Sequence, residues 1–270
     1  PPKPKPRTIV SAYFYRGSKG SYDALAAAGG VLTHLYYFSY QVDRAGNLSG
    51  FPVQRDLELA RRLGIPVLAV VKNFDTAEIS ALLADARARA QAVESIAGLM
   101  RQGFAGVNLD FENVDPADRD RFTEFVGQVA EALRPRGYLT TVALPARNAR
   151  MVAQRWAQAY DYGRIGRYVD WIVVMTYDQH WSGSAPGPVG GLDWADGVMA
   201  YATGQVPGEK LLLGIPAYGR DWPDPQAPAT GGNGTPPGEG QHGGNSAGGN
   251  GRAVKSRPVH DWDGNDEFYS

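Results

Sequence analysis

GVNLDFEN, residues Gly106–Asn113, alternates apolar and polar side chains over the length of a strand. Successive side chains of an extended chain point to opposite faces, so Val107, Leu109 and Phe111 share one face and Asn108, Asp110 and Glu112 the other. Other strand candidates, such as VLAVV (67–71) and WIVVM (171–175), are nearly continuous apolar runs. Strands buried on both faces of a parallel sheet read this way. In a barrel built from them, the three polar side chains enter the interior while their apolar partners face a helix layer. Glu112 then sits at the carboxyl end of its strand, the rim where barrel active sites are built.

Working outward, Thr8–Tyr15, Val31–Tyr40, Pro66–Lys72, Leu139–Leu144, Trp171–Tyr177 and Lys210–Tyr218 join Gly106–Glu112 as seven strand candidates. The segments between them carry helix signals. Ser21 is placed to cap a short helix ended by Gly29-Gly30, and Pro52 opens one running to Gly64. An Ala-rich stretch from Asp75/Thr76 to about Gly103 is predicted to break near Asp85. Asp115-Pro116, with Asp118 in the first turn, starts a helix to about Arg134. Alternating strand and helix predicts right-handed βαβ units, and seven of them in this length favour a closed barrel: an α/β fold of TIM (β/α)8 type lacking a recognisable eighth strand.

Residues 8–225 are read as the barrel. Pro1–Pro6 within PPKPKPRT resembles the tail of an extended linker. Residues 226–251 contain ten Gly among 26 residues and no Leu, Ile, Val, Met or aromatic, so they are expected to form a flexible loop outside the barrel. If the chain ends at Ser270, the barrel's gap is closed by residues 252–270, read as a truncated remainder of the barrel, by a partner, or not at all.

The 270 residues are 43% hydrophobic and 20% charged, enough for one deep core. A net charge of −1 offers no field to gather phosphate backbones or anionic lipid, so neither nucleic-acid binding nor membrane insertion is expected. No apolar run reaches the ~18 residues of a membrane span. With no Cys and four scattered His, neither a thiolate nor a His-pair metal site is expected. No cofactor is expected, and the chain is read as a monomer.

Asp110 and Glu112 could serve only as rim residues or helix caps. Asp115 already fills the cap position, however, and two carboxylates buried in a barrel without a use are costly. The neighbouring carboxylate raises the proton affinity of Glu112, which is therefore read as a protonated general acid. Two carboxylates on one strand cannot easily flank a scissile bond, so another group, supplied by the substrate, should attack while Asp110 orients it. In WIVVMTYDQHW (171–181), Met175, Tyr177 and Gln179 share a strand face, and Tyr177 could donate to a charge-developing oxygen, although a buried tyrosine is commonly a core residue. Trp181, Trp194 and Trp222 follow strand ends, where aromatic faces stack on sugars or pack loops.

GVNLDFENV, MTYDQHWSGSAPGPVGGLDW and LLLGIPAYGRDW, in this order and spacing, resemble glycoside hydrolase family 18 from about Thr8 to Trp222. The likeness is to the branch of LysM-associated spore enzymes that cut peptidoglycan. The family ends its fourth strand in DxxDxDxE; here Ala105 and Asn108 occupy the first two acidic positions and only Asp110 and Glu112 match. The resemblance implies that Glu112 protonates the glycosidic oxygen, that Asp110 positions the substrate 2-acetamido group and that Tyr177 hydrogen-bonds its oxygen. It also implies a substrate site using Tyr13, Asn108, Met175, Asp178, Gln179, Trp181, Tyr218 and Arg220. The small inserted subdomain and eighth strand usual in the family are not recognisable. The polysaccharide expected is peptidoglycan or chitin, at a secreted, cell-wall or spore location. The rival reading is a chitinase-like carbohydrate-binding protein with little or no turnover; a third, a scaffold binding a protein through 226–251, has only composition behind it.

Overall fold

The computed structural model describes residues 8–15, 19–52, 54–151 and 155–222. The linker-like start, the Gly-rich stretch and residues 252–270 lie outside the described residues. The chain divides into two compact units, Pro1–Thr176 with Asp196–Gly214, and Tyr177–Ala195 with Ile215–Ser270.

The first unit holds the sheet: β1 (Ser11–Tyr15), β2 (His34–Val42), β3 (Leu48–Ser49), β4 (Val67–Asn73), β5 (Gly106–Phe111), β6 (Leu139–Pro145), β7 (Trp171–Met175) and β8 (Leu211–Leu213). The strand order is β1-β2-β4-β5-β6-β7-β8 with every neighbouring pair parallel. All seven expected strands are present in the sequential order of a (β/α) barrel. Among the described residues none bridges β1 to β8. The short β3, which the sequence pattern did not predict, pairs antiparallel with β2. Asp43 makes that hairpin, its Oδ1 accepting from the backbone N–H groups of Ala45 and Asn47 at 2.9 Å each.

Helices α1 (Lys19–Ala28), α2 (Gln54–Arg62), α3 (Thr76–Ala84), α4 (Ala86–Leu99), α5 (Arg119–Leu133), α6 (Tyr162–Tyr168) and α7 (Leu192–Thr203) connect the strands. Asp85 divides the Ala-rich stretch as expected. Its N–H closes α3 on Ala81 O at 3.3 Å while its carboxylate accepts from Arg87 N at 2.8 Å to open α4. Asp75 caps α3 through Glu78 N at 2.9 Å. Asp115 caps a 3-10 turn, Pro116–Asp118, that leads into α5. The expectation for Ser21 is corrected: α1 begins at Lys19, so Ser21 lies within the helix and is not its cap.

Every residue of β5 is buried. On its outer face Phe111 packs on Phe122 and Phe125 of α5, with ring centroids 5.8 and 5.6 Å away. Within the sheet Tyr36, Leu68, Val70 and Val173 cluster, with Phe38, Leu139 and Leu212 packed against them. Gly106 opens β5 where a Cβ would stand 2.2 Å from the Leu139 carbonyl oxygen. No side chain can relieve that overlap, because the obstacle is backbone. Gly106→Ala should therefore destabilise the fold by about 1–3 kcal/mol, read as a lower urea midpoint; an unchanged midpoint would show that β5 and β6 part without cost.

Candidate active site

β5 delivers its polar face as the alternation predicts. Asn108 has 0% exposure. Its amide donates to Thr141 Oγ1 at 2.9 Å, and its carbonyl accepts from the Tyr13 hydroxyl at 3.0 Å. It thus ties β1, β5 and β6 together across the sheet. Expected to touch substrate, Asn108 has no surface to do so; its hydrogen bonds hold Tyr13, which is 36% exposed and packs on the Tyr36 ring at 4.9 Å.

Two residues on, Asp110 is 5% exposed, and its Oδ1 has no hydrogen-bond partner among the described residues. Burial first, and the Glu112 charge second, push its carboxyl well above the usual carboxylate range, while Lys72 pulls the other way. Asp110 is the more deeply buried of the pair, with Glu112 half-buried at the strand end.

The turn after Glu112 is clamped from three sides. Glu112 N donates to Asn73 O at 3.1 Å, at the end of β4. Asn113 takes the left-handed conformation, φ 60°, its amide donating to Phe74 O at 3.1 Å and its carbonyl accepting from Thr76 Oγ1 at 2.8 Å. The Tyr160 hydroxyl donates to Phe111 O at 3.0 Å and accepts from Val114 N at 3.3 Å, bracketing the acid. Burial raises the Tyr160 pKa, keeping that hydroxyl un-ionised.

Neither Tyr160 nor Lys72 was singled out from the sequence. Lys72 stands opposite Asp110 in the β4–β5 register, its Nζ 5.0 Å from the Phe38 ring centroid and 5.1 Å from that of Phe74. The available signal was a cation ending an otherwise apolar run, VLAVVK. Tyr160 offered none, since its partners are 46 and 49 residues away.

The remaining expected residues behave differently. Met175, half-buried, is the last residue of β7, because Thr176 N turns back to Val174 O at 2.9 Å. The strand period therefore stops at Met175 and does not place Tyr177 and Gln179 on its face, as had been expected. In the second unit the Tyr177 and Tyr218 rings meet edge to face, with centroids 6.2 Å apart. Asp178, also left-handed at φ 57°, accepts on Oδ1 from Tyr218 OH and Arg220 Nη2, each at 2.8 Å. Gln179 spends its side-chain oxygen on Gly191 N at 2.8 Å, closing its own loop. Trp181 is 54% exposed. Trp222 donates its indole N–H to Ser184 O at 3.2 Å, a loop-packing role.

Residues 12–262 match the family described as glycosyl hydrolases family 18. The cortical fragment-lytic enzyme of Bacillus subtilis is 29% identical over 232 residues, which are 82% of this chain and 54% of that protein. Among solved structures, a chitinase from Chromobacterium violaceum superposes with a TM-score of 0.73 at 31% identity, over 79% of this chain and 70% of its own. The Bacillus cereus spore cortex-lytic enzyme SleL gives 0.73 at 30%, over 82% and 54%. The chain spans 40%, 62% and 54% of the lengths of three Bacillus subtilis relatives.

The elevated Asp110 carboxyl has a consequence for stability. The folded chain holds this proton to higher pH than the unfolded one, so stability is lost as pH rises from the ordinary carboxylate range through the folded value. Asp110→Asn removes that loss. Its melting temperature should match wild type near pH 3 and exceed it at pH 7, by roughly 2–4 °C for each ~1 kcal/mol relieved. A variant less stable at pH 7 than at pH 3, relative to wild type, would contradict the elevation.

Proposed function

The chain belongs to glycosyl hydrolases family 18, and from that premise we propose that it hydrolyses β-linked N-acetylglucosaminides with retention, by substrate-assisted catalysis. The observation that carries this reading is the pair of neighbouring carboxylates, Asp110 buried within β5 and Glu112 half-buried one residue past its end.

Carboxylates so placed approach a glycosidic bond from the same side, which suits one proton donor and one orienting group. Glu112 donates its proton to the glycosidic oxygen as that bond breaks. The substrate 2-acetamido oxygen bonds to the anomeric carbon from the opposite face, and Asp110 accepts the acetamido N–H and balances the developing positive charge. Water then attacks the anomeric carbon and displaces the acetamido oxygen, with Glu112 taking the water's proton, and two inversions give net retention. Tyr13, with its exposed ring, supplies a face for sugar stacking.

Peptidoglycan is the substrate preferred over chitin, on the likeness to cortex-lytic proteins and on Ala105 and Asn108 in place of acidic residues. The site of action would be the cell wall or spore, with the chain acting as a secreted monomer. A carbohydrate-binding protein without turnover would have no use for so unfavourable a carboxylate as Asp110.

Glu112→Gln should keep binding and lose turnover by about 10²–10⁴-fold or more, since the amide keeps the shape but cannot donate the proton. Product analysis on peptidoglycan fragments, chitin oligomers and glucose oligomers checks the rest. Near-native hydrolysis by the variant would sink Glu112 as the acid, and equal cleavage of oligomers lacking the N-acetyl group would sink substrate assistance.

A further inference from the structure

Lys72 is a charged residue of the first unit that the proposed mechanism leaves unused. A lysine on the inward side of a parallel barrel strand is costly to keep. In β4 its neighbours Val67 to Val71 are buried, and Lys72 itself is half-buried. Its register partner is Asp110. The obvious arrangement, an ion pair, is not formed: among the described residues the ammonium makes no ion pair or hydrogen bond and sits instead over two aromatic rings, at 5.0 Å from Phe38 and 5.1 Å from Phe74. An aromatic face attracts a cation through its quadrupole without neutralising it.

The distinction has chemical consequences. A direct ion pair would fix Asp110 in the ionised form and occupy the carboxylate oxygens. An ammonium held by aromatic faces leaves the carboxylate free to accept a substrate N–H, yet still supplies positive potential in a site of low dielectric. Two charged groups act on Asp110, Glu112 from its own strand and Lys72 from β4. The other polar side chains nearby, Asn108, Thr141 and Tyr160, are neutral, and the first two are hydrogen-bonded to each other.

We propose that Lys72 is a positioning residue of the carboxylate pair: seated between Phe38 and Phe74, its ammonium lets Asp110 carry the negative charge while the proton stays on Glu112. This rests on the hydrolytic reading above and assigns to it an electrostatic part that the acid pair alone cannot supply. With two carboxylates and one proton in a buried site, the negative charge would otherwise stand uncompensated.

The test is the pH profile of kcat/KM for wild type, Lys72→Met, Lys72→Gln and Lys72→Arg on N-acetylated glycan oligomers, with thermal unfolding recorded in parallel. Loss of the positive charge makes every proton of the pair harder to remove. In both neutral variants the acid and basic limbs should therefore move together to higher pH, by about half a unit or more, and the peak rate should fall. Lys72→Arg should keep the wild-type limbs. Neutral variants whose limbs coincide with wild type overturn the proposal, as does an arginine variant displaced as far as the methionine one. Loss of fold in both neutral variants, with the arginine variant folded and active, also overturns it and makes Lys72 structural. Wild type inactive at every pH would instead sink the hydrolytic reading. The ¹³C carboxyl titration of Asp110 by NMR then decides on Lys72 alone, since it should move to higher pH in Lys72→Met whether or not substrate is turned over.

Discussion

The Asp110 carboxyl, buried in the middle strand of a parallel sheet with one oxygen unpartnered among the described residues, is the constraint to which its surroundings answer. A charge taken out of water without full hydrogen bonding costs several kcal/mol, so a protein retains it only with compensation or a use. β5 places it there because β4 and β6 pair on either side and α5 seals the outer face through Phe111, Phe122 and Phe125. The dryness that makes the strand stable is the same dryness that raises this carboxyl's affinity for a proton. Stability and chemistry are opposed at one residue.

Around that carboxyl the structure divides its tasks by distance. Asn108, one turn of the pleat deeper, is wholly internal and spends both ends of its amide on Thr141 and Tyr13. Its hydrogen bonds set where Tyr13 stands without contacting solvent. Glu112, one step shallower, is open enough to meet a substrate, but its N–H is held by Asn73 O, and the side chains of Asn113 and Tyr160 pin the residues on either side of it. The left-handed Asn113 shows the turn being held in an uncommon conformation, which Asn tolerates better than a branched residue would. A proton donor needs this restraint, because a misplaced acid loses rate even with its proton affinity intact.

In the second unit, Asp178 plays the organising part. It too is left-handed, and Tyr218 and Arg220 converge on a single carboxylate oxygen, with the guanidinium also 5.7 Å from the Tyr218 ring centroid. The contacts hold the residue that follows Tyr177 while the Tyr218 ring supports Tyr177 itself. Asp178, Tyr218 and Arg220, expected from motif resemblance to bind substrate, are in this structure bonded first to one another.

The sequence by itself determined the fold class, the order of seven strands and the placing of two carboxylates at the end of β5, because each of these is written in local period. A two-residue alternation sends Asp110 and Glu112 inward, continuous apolar runs demand burial on both faces, and Asp75, Asp85 and Asp115 cap through contacts two or three residues away. The structure decided what no local period encodes. Lys72 meets Asp110 only through strand register, across 38 residues of chain that include two helices. Tyr13 reaches Asn108 over a separation of 95 residues, and Tyr160 brackets Glu112 from more than 45 away. The end of β7 at Met175, and the helix start that put Ser21 inside α1, were likewise settled by contacts or by neighbouring turns. Periodicity reports which way a side chain points; which charge or hydroxyl it then faces, and hence where a proton resides, depends on the packing of distant segments into one low-dielectric interior.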